Sequence, residues 1–206
     1  MSSIAPLHGT LDDLKAAFPT EAPYTDVRVV QFDVPVHPDV RTLLPLWMWP
    51  SSPPRATLQI LDYRRISYAP PYREAMLYLH VRTPIGPGAQ CAWSLVTEDA
   101  PLLSGRETLG FPKKLADIRF AEDGDHVRVA ITRQGRPLLS LEATCGAADP
   151  APPPVFDRRM YNVGGLGSWL FVNPVWALRS RERVNWAREA EVRLTLHASR
   201  SDPLAR

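Results

Sequence analysis

Gly105-Arg106-Glu107-Thr108-Leu109-Gly110-Phe111-Pro112-Lys113-Lys114-Leu115-Ala116 is the stretch on which the reading of this chain turns. The protein has three lysines against twenty-one arginines, and two of those three stand side by side here. A guanidinium stays protonated, whereas an amine can shed its proton and attack a carbonyl, so a lysine pair kept where arginine is the usual cation points to nucleophilic chemistry. The competing reading is a solvated loop or strand end, the ordinary place for paired lysines. The setting argues against it. Pro112 and Gly110 define the backbone path, apolar Leu109, Phe111 and Leu115 surround the pair, and Arg106 and Glu107 lie just upstream.

Outward from this segment, 206 residues are enough for one well-buried core, and a single domain over residues 1–206 is the simplest division. A net charge of +2, with the arginines scattered along the chain, gives no basic stripe for nucleic acid. Cys91 and Cys145 stand far apart without ligand partners at metal spacing, which predicts neither a disulfide framework nor a metal site. No apolar run approaches the ~18 residues that span a bilayer, and the first residues do not read as a leader. A soluble protein of the reducing cytoplasm is expected.

With 22 prolines and 11 glycines, long helices are not expected, and short apolar alternations broken by turn residues predict a mainly β chain. Strands are predicted over Val27–Val36, Ala56–Tyr63, Ala75–Arg82, Gln90–Glu98, Ala116–Ala121, His126–Gln134, Pro137–Thr144 and Glu191–His197. Asp123-Gly124 and Gln134-Gly135 read as turns. Asp12–Phe18 reads as a helix capped by Thr10, Pro38–Leu44 as a helical turn or two, and Ala147–Pro154 as a surface linker. Gly164-Gly165-Leu166-Gly167 lacks phosphate-loop spacing and reads as a turn.

Gly-Arg-Glu followed by Pro-Lys-Lys-Leu at Gly105–Leu115 resembles the acetoacetate decarboxylase family, in which this segment carries a Schiff-base lysine. The resemblance puts Lys113 in the place of the nucleophile and Lys114 in that of its cationic neighbour. Pro71-Tyr72-Arg73-Glu74, leading into Ala75-Met76-Leu77-Tyr78-Leu79, is similar to the family's segment bearing an active-site glutamate, here Glu74. Ser201-Asp202-Pro203-Leu204 resembles a segment after which relatives normally continue. The likeness runs from about Val27 to the end and is strongest between Pro71 and Leu115. It implies a closed antiparallel β-cone or double barrel with a few short helices, assembled into homo-oligomers, needing no metal or organic cofactor.

It also implies a reaction. A neutral Lys113 attacks the ketone of a small β-keto acid such as acetoacetate, and the resulting imine draws electrons from the bond to the departing carbon dioxide. Two effects could keep the amine uncharged. On a strand, Lys113 and Lys114 point to opposite faces, ~8 Å apart, worth only about 2 kcal/mol at an effective dielectric of 20. Burial acts more strongly, so Leu109, Phe111 and the tryptophans are expected to desolvate the amine. Glu74 is expected to orient substrate, repel its carboxylate or shuttle a proton. Tyr72 is a candidate for the pocket wall, and Arg106 and Glu107 either touch substrate or pair to brace the lysine loop.

Two positions depart from the family pattern. Gln59 stands where relatives carry a second acidic residue, and Arg28 is the nearest match, a position or two off, to their early arginine. An amide cannot titrate, so Gln59 opens the alternative of aldol addition or dehydration through the same imine. A second alternative is a non-catalytic small-molecule binder that kept the fold.

Overall fold

A computed structural model describes residues 24–152, 155, 158–163, 175–178, 183–199 and 202. The Asp12–Phe18 helix and the Gly164–Gly167 turn lie outside the described residues. The predicted strands form, most of them longer than expected: β1 (Tyr24–Pro35), β3 (Arg55–Ile66), β4 (Tyr72–Thr83), β5 (Gly86–Val96), β7 (Asp117–Asp123), β8 (His126–Arg133), β9 (Arg136–Asp149) and β12 (Ala187–Leu196). Four short strands complete the set: β2 (Trp49–Pro50), β6 (Lys113–Leu115), β10 (Met160–Val163) and β11 (Val175–Leu178). The predicted helical turn is a 3₁₀ segment, Pro38–Leu43.

Two antiparallel hairpins show why these residues fold as they do. Gln134 and Gly135 both take left-handed dihedrals (φ 52° and 72°), the signature of a tight two-residue turn whose twist matches the flanking β8 and β9. Gly124, at φ 57°, turns β7 into β8. The first three residues of the expected Ala147–Pro154 linker belong to β9 instead, because Ala148 and Asp149 find partners in Arg188 and Ala187 of β12.

The strands fall into two sheets. The larger runs β1-β3-β4-β5-β10-β11, with β2 added to β4 and β6 added to β5; the smaller runs β12-β9-β8-β7. The chain is mainly β, as expected, but neither sheet closes on itself among the described residues, so the expected cone or barrel is not what is seen. Closure requires the two edge strands of a sheet to pair. Here β1 bonds only β3, and β7 only β8.

Alternation along the strands gives the larger sheet two different faces. One carries Leu58, Ile60, Ala75, Trp93 and Leu95 against Ile118, Val129, Ile131, Leu139 and Leu141 of the smaller sheet, forming the main core. The other carries Leu61, Tyr63, Tyr72, Met76, Tyr78, Cys91 and Val96. Because β3, β4 and β5 are covered on both faces, a polar side chain on either face is withdrawn from water and needs a partner.

Candidate active site

Lys113 heads β6, which lies parallel to β5 in the register Ser94↔Lys113, Leu95↔Lys114, Val96↔Leu115. This register puts Lys113 on the same face as Ser94 and as Glu74 of β4. Lys113 Nζ lies 2.8 Å from Glu74 Oε1, with side-chain exposures of 7% and 3%. Ser94 Oγ donates a hydrogen bond of 3.2 Å to the same carboxylate oxygen. Three adjacent strands thus contribute an amine, a carboxylate and a hydroxyl to one buried spot. A buried ion pair of this kind costs desolvation that apolar residues would not, and removing one member strands the other, so its presence argues for chemistry rather than for stability.

The segment before β6 is shaped around the amine. Asp99–Leu103 forms one short helix, α1, followed by a π-helical turn over Ser104–Thr108, a geometry enriched at functional sites. Gly105 O accepts hydrogen bonds from the backbone N–H of Leu109 and of Phe111. Gly110, at φ 69°, makes that closure possible. A Cβ on Gly105 would stand 2.5 Å from Lys113 Cε and 2.9 Å from Nζ, so the lysine runs directly over the glycine. The Phe111 ring lies 5.6 Å from Nζ. Asn162 Nδ2, from β10, donates 3.0 Å to Leu109 O and pins the loop from the far side.

Around the pair the environment is apolar. Burial pushes the Cys91 thiol far above its ordinary range, the Glu74 carboxylate adding to the effect and Lys113 opposing it. Tyr72 is raised in the same direction, first by burial and then by Tyr63 and Glu74. Its ring stacks on Tyr63 at 4.6 Å and its hydroxyl meets that of Tyr68 at 3.2 Å, so it walls the same face as Glu74. Leu102 and Phe111 pack against this cluster. The expected shielding by tryptophan is not seen among the described residues: Trp93 belongs to the opposite face, where its Nε1 donates 2.7 Å to Asp202, and Trp49 and Trp186 are exposed.

The remaining expected site residues divide. Gln59 is fully buried on the Glu74 face, in the row Gln31↔Gln59↔Met76↔Ser94↔Lys113 that crosses five strands. Its Nε2 donates to Gln31 Oε1 and, at 3.0 Å, to Val155 O. Lys114 pairs with Leu95, whose side chain is in the main core, and so points away from Lys113. Arg28 is not brought to the site. It alternates with Val29 onto the opposite face, pairs with Asp26 at 3.0 Å and Glu122 at 3.6 Å, and lies over Trp186. Arg106 and Glu107 are exposed, with no ion pair joining them among the described residues, because the π-turn directs both outward. Ser94 and Asn162 are absent from the sequence reading, and Gly105 and Cys91 enter it without a place at the site; only the assembled fold brings them there, and no local motif does.

A tight loop thus presents a buried lysine to a carboxylate on the covered face of a β-sheet. A family model described as acetoacetate decarboxylase matches residues 5–206, and the chain belongs to that family. The fold is similar to that of acetoacetate decarboxylase from Legionella pneumophila, with a TM-score of 0.73 and 17% identity over 98% of this chain and 88% of that one. It is also similar to an acetoacetate decarboxylase-like enzyme from Sphingomonas wittichii RW1, at TM-score 0.70 and 17% identity over 86% of this chain and 80% of that one. The enduracididine biosynthesis enzyme MppR, complexed with the condensation product of pyruvate and imidazole 4-carboxaldehyde, aligns at TM-score 0.69 and 17% identity over 85% of this chain and 76% of that one. No curated protein matches the sequence. Among the described residues no helix is long and apolar enough to cross a membrane.

Proposed function

We propose that this protein is a lyase that captures a small keto acid as an imine on Lys113 and releases carbon dioxide from a β-keto acid such as acetoacetate. The observation that carries the reading is the 2.8 Å contact between Lys113 Nζ and Glu74 Oε1 in a buried setting. Lys113 gives one proton to Glu74 and adds to the ketone carbon as the free amine, a second amine proton moves to the ketone oxygen, and the Glu74 carboxyl then protonates the resulting hydroxyl so that it departs as water and leaves the protonated imine. The protonated imine then receives the electron pair of the carbon–carboxylate bond as carbon dioxide leaves. Protonation of the enamine carbon and hydrolysis free the ketone. The negative charge of Glu74 beside the substrate carboxylate opposes the bound acid more than the neutral product, which favours loss of carbon dioxide. Ser94, donating to Glu74, keeps that carboxylate aimed at the amine.

One observation favours a second reading within the same chemistry. Gln59, locked to Gln31 and Val155, offers no titrating group where the family pattern expects one. MppR, a similar fold, holds a condensation product rather than a decarboxylation product. On this reading the imine directs aldol addition or dehydration with the carboxylate retained.

The test is borohydride reduction in the presence of acetoacetate and, separately, pyruvate, followed by peptide mass mapping. A stable adduct on Lys113 is expected. Lys113-dependent release of carbon dioxide from acetoacetate supports decarboxylation, and an adduct with pyruvate and no such release supports the second reading. No adduct with either compound, against a working control enzyme, refutes both.

A further inference from the structure

Two short strands share the edge of β5 that faces away from β4. β6 takes it at Ser94–Val96, and β10 takes it earlier, with Met160 opposite Ala89; both run parallel to β5. Met160 sits in the apolar cluster of the lysine-bearing face, and alternation returns Asn162 to that face two positions on, in line with Cys91. Cys91 in turn lies within electrostatic reach of both Glu74 and Lys113. Asn162 and Lys113 therefore project to one face from strands that follow each other along one edge. The loop before β6 links them. Asn162 Nδ2 donates to Leu109 O at 3.0 Å, the Leu109 N–H donates to Gly105 O, and a Cβ on Gly105 would stand 2.9 Å from Lys113 Nζ.

A backbone carbonyl only accepts, so the bond to Leu109 O fixes which end of the Asn162 amide is nitrogen. The residue is 1% exposed, and its Oδ1 is buried and accepts no hydrogen bond among the described residues. An acceptor withdrawn from water calls for a donor. The chemistry at Lys113 supplies one at two moments: the carbinolamine carries a hydroxyl, and hydrolysis of the imine brings in a water. Glu74 Oε1 already takes Lys113 Nζ and Ser94 Oγ, so a second acceptor is needed to set the direction of that oxygen's protons.

The geometry points to Asn162 Oδ1 as the acceptor that holds the water of reaction at Lys113, as the carbinolamine hydroxyl on its way out and as the attacking water on its return. This role rests on the reading of Lys113 as the imine-forming amine. In hydrolysis the water oxygen bonds to the imine carbon, and the electron pair of the carbon–nitrogen double bond moves onto the lysine nitrogen. One water proton passes to the Glu74 carboxylate, while the other stays on the oxygen, donated to Asn162 Oδ1. That second proton then moves to the nitrogen as the carbon–nitrogen bond breaks, freeing the ketone and the amine. Without the acceptor the water loses its orientation, and the steps that make and break the carbinolamine slow together.

Acetone and pyruvate make and lose such an imine without net reaction, and each cycle places an oxygen from water in the carbonyl group. Entry of labelled oxygen from water, above the uncatalysed rate, reads the water step, and the fraction of Lys113 trapped by a brief borohydride pulse reads how much imine is present. In Asn162→Ala, oxygen entry should slow by roughly tenfold or more while the trapped fraction is unchanged, because formation and hydrolysis slow equally. Asn162→Asp keeps an oxygen acceptor but loses the N–H that Leu109 O accepts, and should retain most of the wild-type rate. Asn162→Leu, similar in shape and without an acceptor, replaces an alanine variant that does not fold. Oxygen entry at the wild-type rate in the folded variant without an acceptor overturns the role of Asn162 and leaves the imine standing. Equal slowing in Asn162→Asp overturns it too, because both variants then report the lost brace on Leu109. A wild-type protein that gives neither adduct nor oxygen entry with either ketone sinks this inference and the imine reading together.

Discussion

At Gly105 the room left for the amine is set by a missing methyl group. Its backbone does not need left-handed dihedrals, so alanine is tolerated there conformationally, but the new Cβ would meet Lys113 Cδ at 2.7 Å and Cε at 2.5 Å. The lysine chain is flexible and would move instead of the backbone. Gly105→Ala should therefore melt within a few degrees of the wild type while imine trapping at Lys113 slows by roughly tenfold or more, since displacement near 1 Å costs on that scale. An unchanged trapping rate would show that the amine does not work from its observed position. Glu74 and Lys113 make a complementary prediction. Lys113→Met and Glu74→Gln should each lower stability by about 3 kcal/mol by leaving one buried polar partner alone, and the double variant should lose clearly less than the sum. Urea denaturation of the four proteins measures this, and strict additivity would mean that the two groups do not interact.

For the elements, the lysine strand is only three residues long and gains its place from its neighbours. Asn162 of β10 holds Leu109 O from one side while β5 holds β6 from the other. Asn162→Ala should cost about 1 kcal/mol globally but raise amide exchange selectively over residues 105–112, because one buried carbonyl loses its donor. Exchange raised evenly through the protein would contradict this. The same elements show what a sequence can and cannot disclose. Strands such as β3, β4 and β8 were legible because apolar residues recur every second position between turn residues, and Gln134-Gly135 declared its hairpin directly. β2, β6, β10 and β11 are too short for any period to register. The parallel pairing of β6 with β5 is a non-local event with no local signature, and with it Ser94 and Asn162 stayed hidden. Lys113 and Glu74 were legible through the resemblance, with their flanking motifs; Arg28 failed because a shift of one strand position sends a side chain to the other face. Trp93 failed as a shield for the same reason of face, since composition says nothing about which side of a sheet a residue covers.

Across the whole molecule, two features tie the sheets together and set their response to conditions. Arg64 spans Asp62 at 2.9 Å and Glu122 at 2.7 Å, Arg73 holds Asp62 at 3.0 Å, and Arg28 reaches Glu122, so β1, β3 and β4 are clasped to β7 of the smaller sheet. The arginines and Glu122 are partly exposed, so salt screens them, while Asp62 between them is buried. Alkali acts on the buried face instead. Cys91 and Tyr72 are both raised by burial from ordinary values of 9.0 and 10.0. Above pH about 9 the unfolded chain releases the thiol proton while the folded protein keeps it, so the unfolded state binds fewer protons and stability falls as pH rises; below that value the contribution is fully retained. Tyr72 steepens the loss above pH about 10. Melting temperature followed from about pH 8 to 11 should fall progressively, and Cys91→Ala should flatten the first part of the decline. An equal slope in that variant would remove Cys91 as its source.

The crossover from β5 through α1 to β6 also has a bearing on the order of events when the chain folds. Neighbouring hairpins assemble from local partners, but a parallel strand must wait for its loop to close, which is slow for such pairings. Lys113 thus meets Glu74 only after the β4–β5 hairpin exists to receive it. A nascent or half-folded chain carries an ordinary amine with no carboxylate at its side, so the chemistry proposed for Lys113 becomes possible only with the last steps of folding.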